Sequence, residues 1–204
     1  SSTDALGNTT LYTTNGVGLI TSMTDPLGNK TVYEYDGAGR LTKQISPMGH
    51  EYRYEYSSAG KLVTEIDPLG NKRTHEYTGN GFETMSTDWM GNATHYTYNA
   101  MNDMLSITDP MGGKTEYTYD GQGNLLSATN PDGNTTQYTY DSTGRLVTMT
   151  DPNGNTTTYS YDGNGNVVAV TDALGGVTST SYDNMDQPVS VTDANGNATL
   201  TEYD

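Results

Sequence analysis

Aspartate is the residue with most chemistry to offer in this chain, and it comes at a fixed spacing. Of 17 aspartates, 14 fall in two phases of a 21-residue period, eight in the phase of Asp25 and six in that of Asp36. A stacked row of carboxylates supplies hard oxygen ligands of the kind that hold Ca²⁺. The same residue opens turns, because its carboxylate accepts backbone N–H groups just ahead of it. The turn role is the expected one, since the glycine-rich nonapeptide that organises calcium rows is absent; Ca²⁺ stays as the alternative. His50, His75 and His95 fall in three different phases and so form no repeating metal site. His75 stands where other copies carry tyrosine, which points to packing. No Ser, His and Asp set recurs and nothing pairs a nucleophile with a base. Accordingly no catalytic residue, cofactor or metal ligand is assigned, and no enzymatic activity is expected.

Two further residue types are periodic. Sixteen of the 17 tyrosines occupy two phases, represented by Tyr33 and Tyr35, Tyr96 and Tyr98, Tyr117 and Tyr119, Tyr138 and Tyr140, and Tyr159 and Tyr161; only Tyr52 strays. Rows of aromatic rings stack sugars, and they also pack across strands. Packing is the expected role. Asn-x-Thr occurs at Asn8, Asn29, Asn92, Asn134, Asn155 and Asn197, always directly after a turn glycine. Read as glycosylation acceptors these would decorate one edge once per repeat; read as turn residues they need no glycan.

The elements that must position these groups follow from the same period. Gly7, Gly28, Gly49, Gly70, Gly91, Gly112, Gly133, Gly154, Gly175 and Gly196 lie 21 residues apart without insertion or deletion. Such a period marks a repeat architecture. Asp25-Pro26-Leu27-Gly28 has the preferences of a type I turn, with Asp first, Pro second and Gly fourth. Asp36-Gly37-Ala38-Gly39 is a second turn, in which extra glycines at 37, 79, 121 and 163 are expected to supply positive φ. Between the turns, Thr31, Tyr33 and Tyr35 alternate with Val32 and Glu34, the signature of a strand with one packed and one solvated face. Residues 41–45 and their copies form the second strand, in which Val147 and Met149, Val168 and Val170, and Val189 and Val191 give an apolar stripe while the preceding Leu faces oppositely, so that partial cover on both sides is expected. The fold class is therefore all-β: tandem 21-residue β-hairpins in a continuous, twisted and spiralling antiparallel sheet, residues 1–204 forming a single array of nearly ten repeats. A β-solenoid with one repeat per coil is the competing fold. The array is expected to continue beyond both ends or to polymerise, because each hairpin covers its neighbour's edge and exposes its own.

Composition narrows the function. With 32% hydrophobic residues and a mean hydropathy of −0.70, a thick globular core is not expected. The net charge of −16 repels nucleic acid and anionic membrane, which excludes both as partners. No apolar run approaches membrane-spanning length, and the lack of cysteine removes disulfides and thiolate metal sites.

Tyr35-Asp36-Gly37-Ala38-Gly39-Arg40-Leu41 and Tyr140-Asp141-Ser142-Thr143-Gly144-Arg145-Leu146 resemble the YD repeat, also called the RHS repeat. The resemblance runs through the whole chain, with departures such as Gly81-Phe82-Glu83 and Asp186-Gln187-Pro188. It implies large secreted or cell-surface proteins: bacterial RHS and wall-associated proteins, toxin-complex shells and teneurins, whose hairpins wind into a spiral sheet. Encapsulation and self-cleavage are not carried over to these residues. The leading expectation is a structural segment of an extracellular fibre or shell wall whose partner is itself. An adhesin-like surface for carbohydrate or a partner cell is the second expectation, and a wall enclosing a toxin the third.

Overall fold

In the computed structural model, which describes residues 1–203, there are 20 strands and no helix among the described residues. The chain divides into two compact units, Ser1–Tyr96 and the residues from Thr97 onward. The first holds β1 (Ser2–Thr3), β2 (Thr9–Thr14), β3 (Ile20–Thr24), β4 (Lys30–Tyr35), β5 (Leu41–Ile45), β6 (Glu51–Tyr56), β7 (Leu62–Ile66), β8 (Lys72–Tyr77), β9 (Glu83–Thr87) and most of β10 (Ala93–Tyr98). The second holds β11 (Met104–Thr108), β12 (Lys114–Tyr119), β13 (Leu125–Thr129), β14 (Thr135–Tyr140), β15 (Leu146–Thr150), β16 (Thr156–Tyr161), β17 (Val167–Thr171), β18 (Val177–Tyr182), β19 (Pro188–Thr192) and β20 (Ala198–Leu200).

Within each unit every strand pairs antiparallel with the next in sequence and contacts no other strand. This is the hairpin array. A solenoid would instead pair residues 21 apart in parallel, and no such pairing occurs among the described residues of either unit. Each unit is thus a sheet one layer thick. Among the described residues no hydrophobic side chain is buried, and the three buried residues are Ser22, Thr31 and Ser106. The tyrosine face is half-covered and the other face open: in β12, Thr115, Tyr117 and Tyr119 are half-buried while Lys114, Glu116 and Thr118 are exposed. The second strands β5, β7, β15 and β17 are half-buried at every position, covered in part on both faces.

Both turns of the repeat have one geometry. Gly28 N–H bonds Asp25 O at 3.0 Å and Asp25 N–H bonds Asn29 O at 3.0 Å, with Gly28 at φ +85°. The same pair of bonds joins Gly39 to Asp36 and Asp36 to Arg40, with Gly39 at φ +80°. Each is a three-residue loop, a type I turn closed by a left-handed residue. One expectation is corrected here: Gly37, Gly79, Gly121 and Gly163 do not take positive φ, and a Cβ on any of them would meet nothing within 4 Å. They occupy the first loop position, which the type I turn places in ordinary right-handed space. The left-handed position is the third, and there Asn102 (φ 68°) and Asp186 (φ 60°) replace glycine, as short polar side chains can.

Between the two strands of a repeat the register slips. Glu34 faces Lys43 but Tyr35 faces Leu41, so Thr42 is one residue too many. The same bulge recurs opposite Tyr119, Tyr140, Tyr161 and Tyr182. The hairpins that join one repeat to the next carry none, as between β3 and β4.

Candidate functional site

The repeating aspartates spend their carboxylates on their own turns. Asp25 Oδ1 accepts Leu27 N–H at 2.9 Å and Asn29 N–H at 2.8 Å, and Oδ2 accepts Asn29 Nδ2 at 2.7 Å. The amide of Asn29, then the backbone N–H groups, hold the Asp25 carboxyl below the usual carboxylate range. Asp141 is lowered by the Thr143 hydroxyl and by Arg145 through its backbone and its side chain. Among the described residues no group of three or more His, Asp and Glu is placed to hold a metal ion. Asp204, counted among the turn aspartates, lies outside the described residues. The sequon asparagines Asn8, Asn29, Asn92, Asn155 and Asn197 each donate their amide to the turn aspartate four residues back. Asn134, whose turn opens with Asn130, bonds that residue through its backbone instead.

Six tyrosines of the Tyr35 phase join one repeat to the one before. Tyr35, Tyr56 and Tyr77 donate their hydroxyls to the carbonyls of Ile20, Leu41 and Leu62 at 2.8, 2.8 and 2.9 Å. Tyr161, Tyr182 and Tyr203 do the same to Leu146, Val167 and Pro188 at 2.7, 2.9 and 3.0 Å. These hydroxyls are therefore not left to water, as a half-buried phenol would suggest. The target is the first residue of a second strand, next to the bulge. Register between β5 and β6 runs only as far as Lys43 opposite Arg53, so the Leu41 carbonyl lies past the end of that ladder. Tyr56 supplies the donor that the backbone no longer can.

Arginine completes the link. Arg145 Nε bonds Asp141 Oδ2 at 2.7 Å, its guanidinium lies 4.8 Å from the centre of the Tyr161 ring, and Nη1 reaches the Asp162 carbonyl at 3.2 Å. Arg40 repeats this on Asp36, Tyr56 and Ser57. In both Gly-Arg-Leu copies one guanidinium thus ties a turn to the ring and the turn of the following repeat.

Three residues that break the pattern, His50, Tyr52 and Trp89, lie in the first unit. His50, the stray Tyr52, Pro68, Leu69 and Trp89 line a cleft of about 470 Å³, beside Asp67. Lys61, Val63, His75, Tyr77 and Gly81 are among those lining another, of about 620 Å³. His75 packs against Tyr77, ring centres 6.4 Å apart, and bonds Glu83 and, at 3.4 Å, Glu65. The packing was legible from its phase; the two carboxylates were not, because they arrive from neighbouring strands. The structure does not bring His50, His75 and His95 together: His50 and His75 line different clefts and His95 is exposed on β10.

The RHS Repeat family model matches residues 15–51, 35–72, 102–135, 119–156, 140–177 and 161–198. No curated protein matches the chain. Among solved structures, 90% of the chain matches a chain in the crystal structure of TcdB2-TccC3-Cdc42, at 16% identity and a TM-score of 0.48. It matches a Photorhabdus luminescens Tc holotoxin pore carrying a TccC3 mutation over 90% of its length, at 16% identity and a TM-score of 0.47. It spans only 12% of the matched chain in each case.

Proposed function

The chain belongs to the RHS-repeat family, and from that premise we propose that it is wall material: a structural segment of an extracellular shell, without chemistry of its own. The observation that carries this reading is that the strands of each unit touch only their sequence neighbours, with no hydrophobic residue buried among the described residues. A domain built to hold a pocket surrounds it with a second layer; a wall needs one layer, joined laterally. The Tyr–carbonyl and Arg–Tyr links run in that lateral direction. The segment's partner is then more of the same array, and its place is outside the cell. Electron microscopy of the native assembly tests this. Continuous curved walls around a lumen are expected; discrete globular particles would overturn the reading, and straight unbranched threads would move it to a fibre.

A second reading, carbohydrate binding, is favoured by the cleft of His50, Tyr52 and Trp89. It gathers the single tryptophan, the single out-of-phase tyrosine and a histidine, and exposed aromatic faces beside polar groups suit sugar rings. Glycan-array binding lost in Trp89→Ala with the circular dichroism unchanged would support it. An array with no hits would remove it.

A further inference from the structure

In the first unit, the tips of the turns that join successive repeats form an apolar row. Leu6, Leu27, Met48, Leu69 and Met90 occupy the same loop position in five consecutive copies, and each is between 81% and 88% exposed. The turn does not require them. In the second unit that position holds Met111 and Leu174 but also Asp132, Asn153 and Asn195, and these three make the same N–H bond to the residue that opens the turn as Leu27 and Met90 do. A site that accepts Asp or Asn without structural change, yet carries an exposed Leu or Met in every one of its five copies in the first unit, is under a demand other than folding.

We propose that this row is the contact through which two copies of the chain dock edge to edge. Three observations select a second copy over other occupants. The first is spacing: two strands per repeat set the tips about 9.6 Å apart, and only a partner with the same lattice stays in step over five teeth. The second is charge. The carboxylates beside the row, Asp4, Asp25, Asp67 and Asp88, are folded back into their turns with both oxygens accepting N–H groups. The teeth therefore project free of aspartate side chains. The third is area. Five Leu or Met side chains at roughly 100 Å² each give about 1,000 Å² over both partners, the lower bound for a specific interface. A two-fold arrangement, teeth of one row between those of the other, is self-complementary and closes at two copies. The inference rests on the wall reading, to which it adds the lateral partner.

Sedimentation equilibrium of the whole chain tests it. The expected species is a reversible dimer of twice the 22.0 kDa chain mass. Leu27→Asp with Met48→Asp should weaken association by about a hundredfold or more. Circular dichroism should be unchanged, since Asp132 shows that the turn accepts aspartate. Leu174→Asp, at an isolated tip between Asn153 and Asn195, should leave the dimer intact. A monomer at every concentration overturns the proposal while leaving the wall reading to microscopy. So does a dimer that the double variant leaves intact, or one that Leu174→Asp breaks equally. Co-sedimentation with phosphatidylcholine vesicles, abolished by the double variant, would give the row to a lipid surface and also overturn it.

Discussion

At the scale of single residues, the tyrosine hydroxyl and the turn carboxylate carry separable contributions. Tyr161→Phe keeps the ring under Arg145 but removes the donor to the Leu146 carbonyl. A neutral hydrogen bond of this kind is worth about 1 kcal/mol, which in a chain of this length lowers the melting temperature by about 2–4 °C. Tyr140 occupies the same phase, but its hydroxyl makes no such bond, so Tyr140→Phe should be close to neutral. Equal shifts in calorimetry would show that the ring, not the hydroxyl, matters. The carboxylates predict an acid limb. Asp25, Asp88, Asp151 and Asp193 are held below the usual carboxylate range by the Asn amide and by backbone N–H groups. A carboxyl depressed in the folded state stabilises above its unfolded pKa, and that contribution disappears as pH falls through the folded value. The melting temperature should therefore fall below about pH 4. Asp151→Asn keeps an acceptor, as Asn130 does in the corresponding turn, and should make that fall shallower. Tyr56 and Tyr77 set the opposite limb: desolvation, then neighbouring carboxylates, raise their phenols above 10.0. Their contribution is complete below pH 10 and lost as pH rises through the folded values.

At the scale of the hairpin, what matters is which loop residue turns left-handed. Gly28 has φ +85°, and alanine there costs about 1–2 kcal/mol. Gly37 lies outside the left-handed region with open space around its Cβ position, so Gly37→Ala should be neutral or stabilise by about 0.4–1 kcal/mol through the unfolded chain. Denaturant midpoints for the two variants must move in opposite directions, or differ by at least the cost of Gly28→Ala, for the turn assignment to stand. The sequence held this distinction. The Gly37 phase also contains Ser58, Ala100, Ser142 and Asn184, whereas the Gly39 phase admits only Asn102 and Asp186 besides glycine. Strand positions, turn sites and the half-covered tyrosine face were legible for the same reason: each depends on spacing within about ten residues. The bulge was not. Thr42 is chemically like any strand threonine, and it becomes the extra residue only when Tyr35 must face Leu41. The hydroxyl's acceptor, 15 residues back and across a strand pair, depends on that slip and was hidden with it. The apolar tips were visible as letters, but their exposure needed the loop geometry.

At the scale of the whole array, the repeat should behave as an indivisible unit of two strands. Because strands touch only sequence neighbours within each unit, stability is approximately a sum of repeat and nearest-neighbour terms. Removing residues 141–161, one full period, joins Tyr140 to Asp162 and recreates the Tyr-Asp junction. Strand direction, face and bulge all stay in phase, so the product should fold with unchanged circular dichroism per residue and a modestly lower melting temperature. Removing residues 141–150 takes out one turn and β15 alone. β16 must then pair directly with β14, a tyrosine strand against a tyrosine strand. Tyr161 loses the Leu146 carbonyl and the Arg145 guanidinium at one stroke, and every later strand runs in the reverse direction. That shorter deletion should abolish the cooperative transition in calorimetry even though it discards half as many residues. If the ten-residue deletion melts as sharply and as high as the 21-residue one, the link between tyrosine, bulge and arginine is not what holds successive hairpins together.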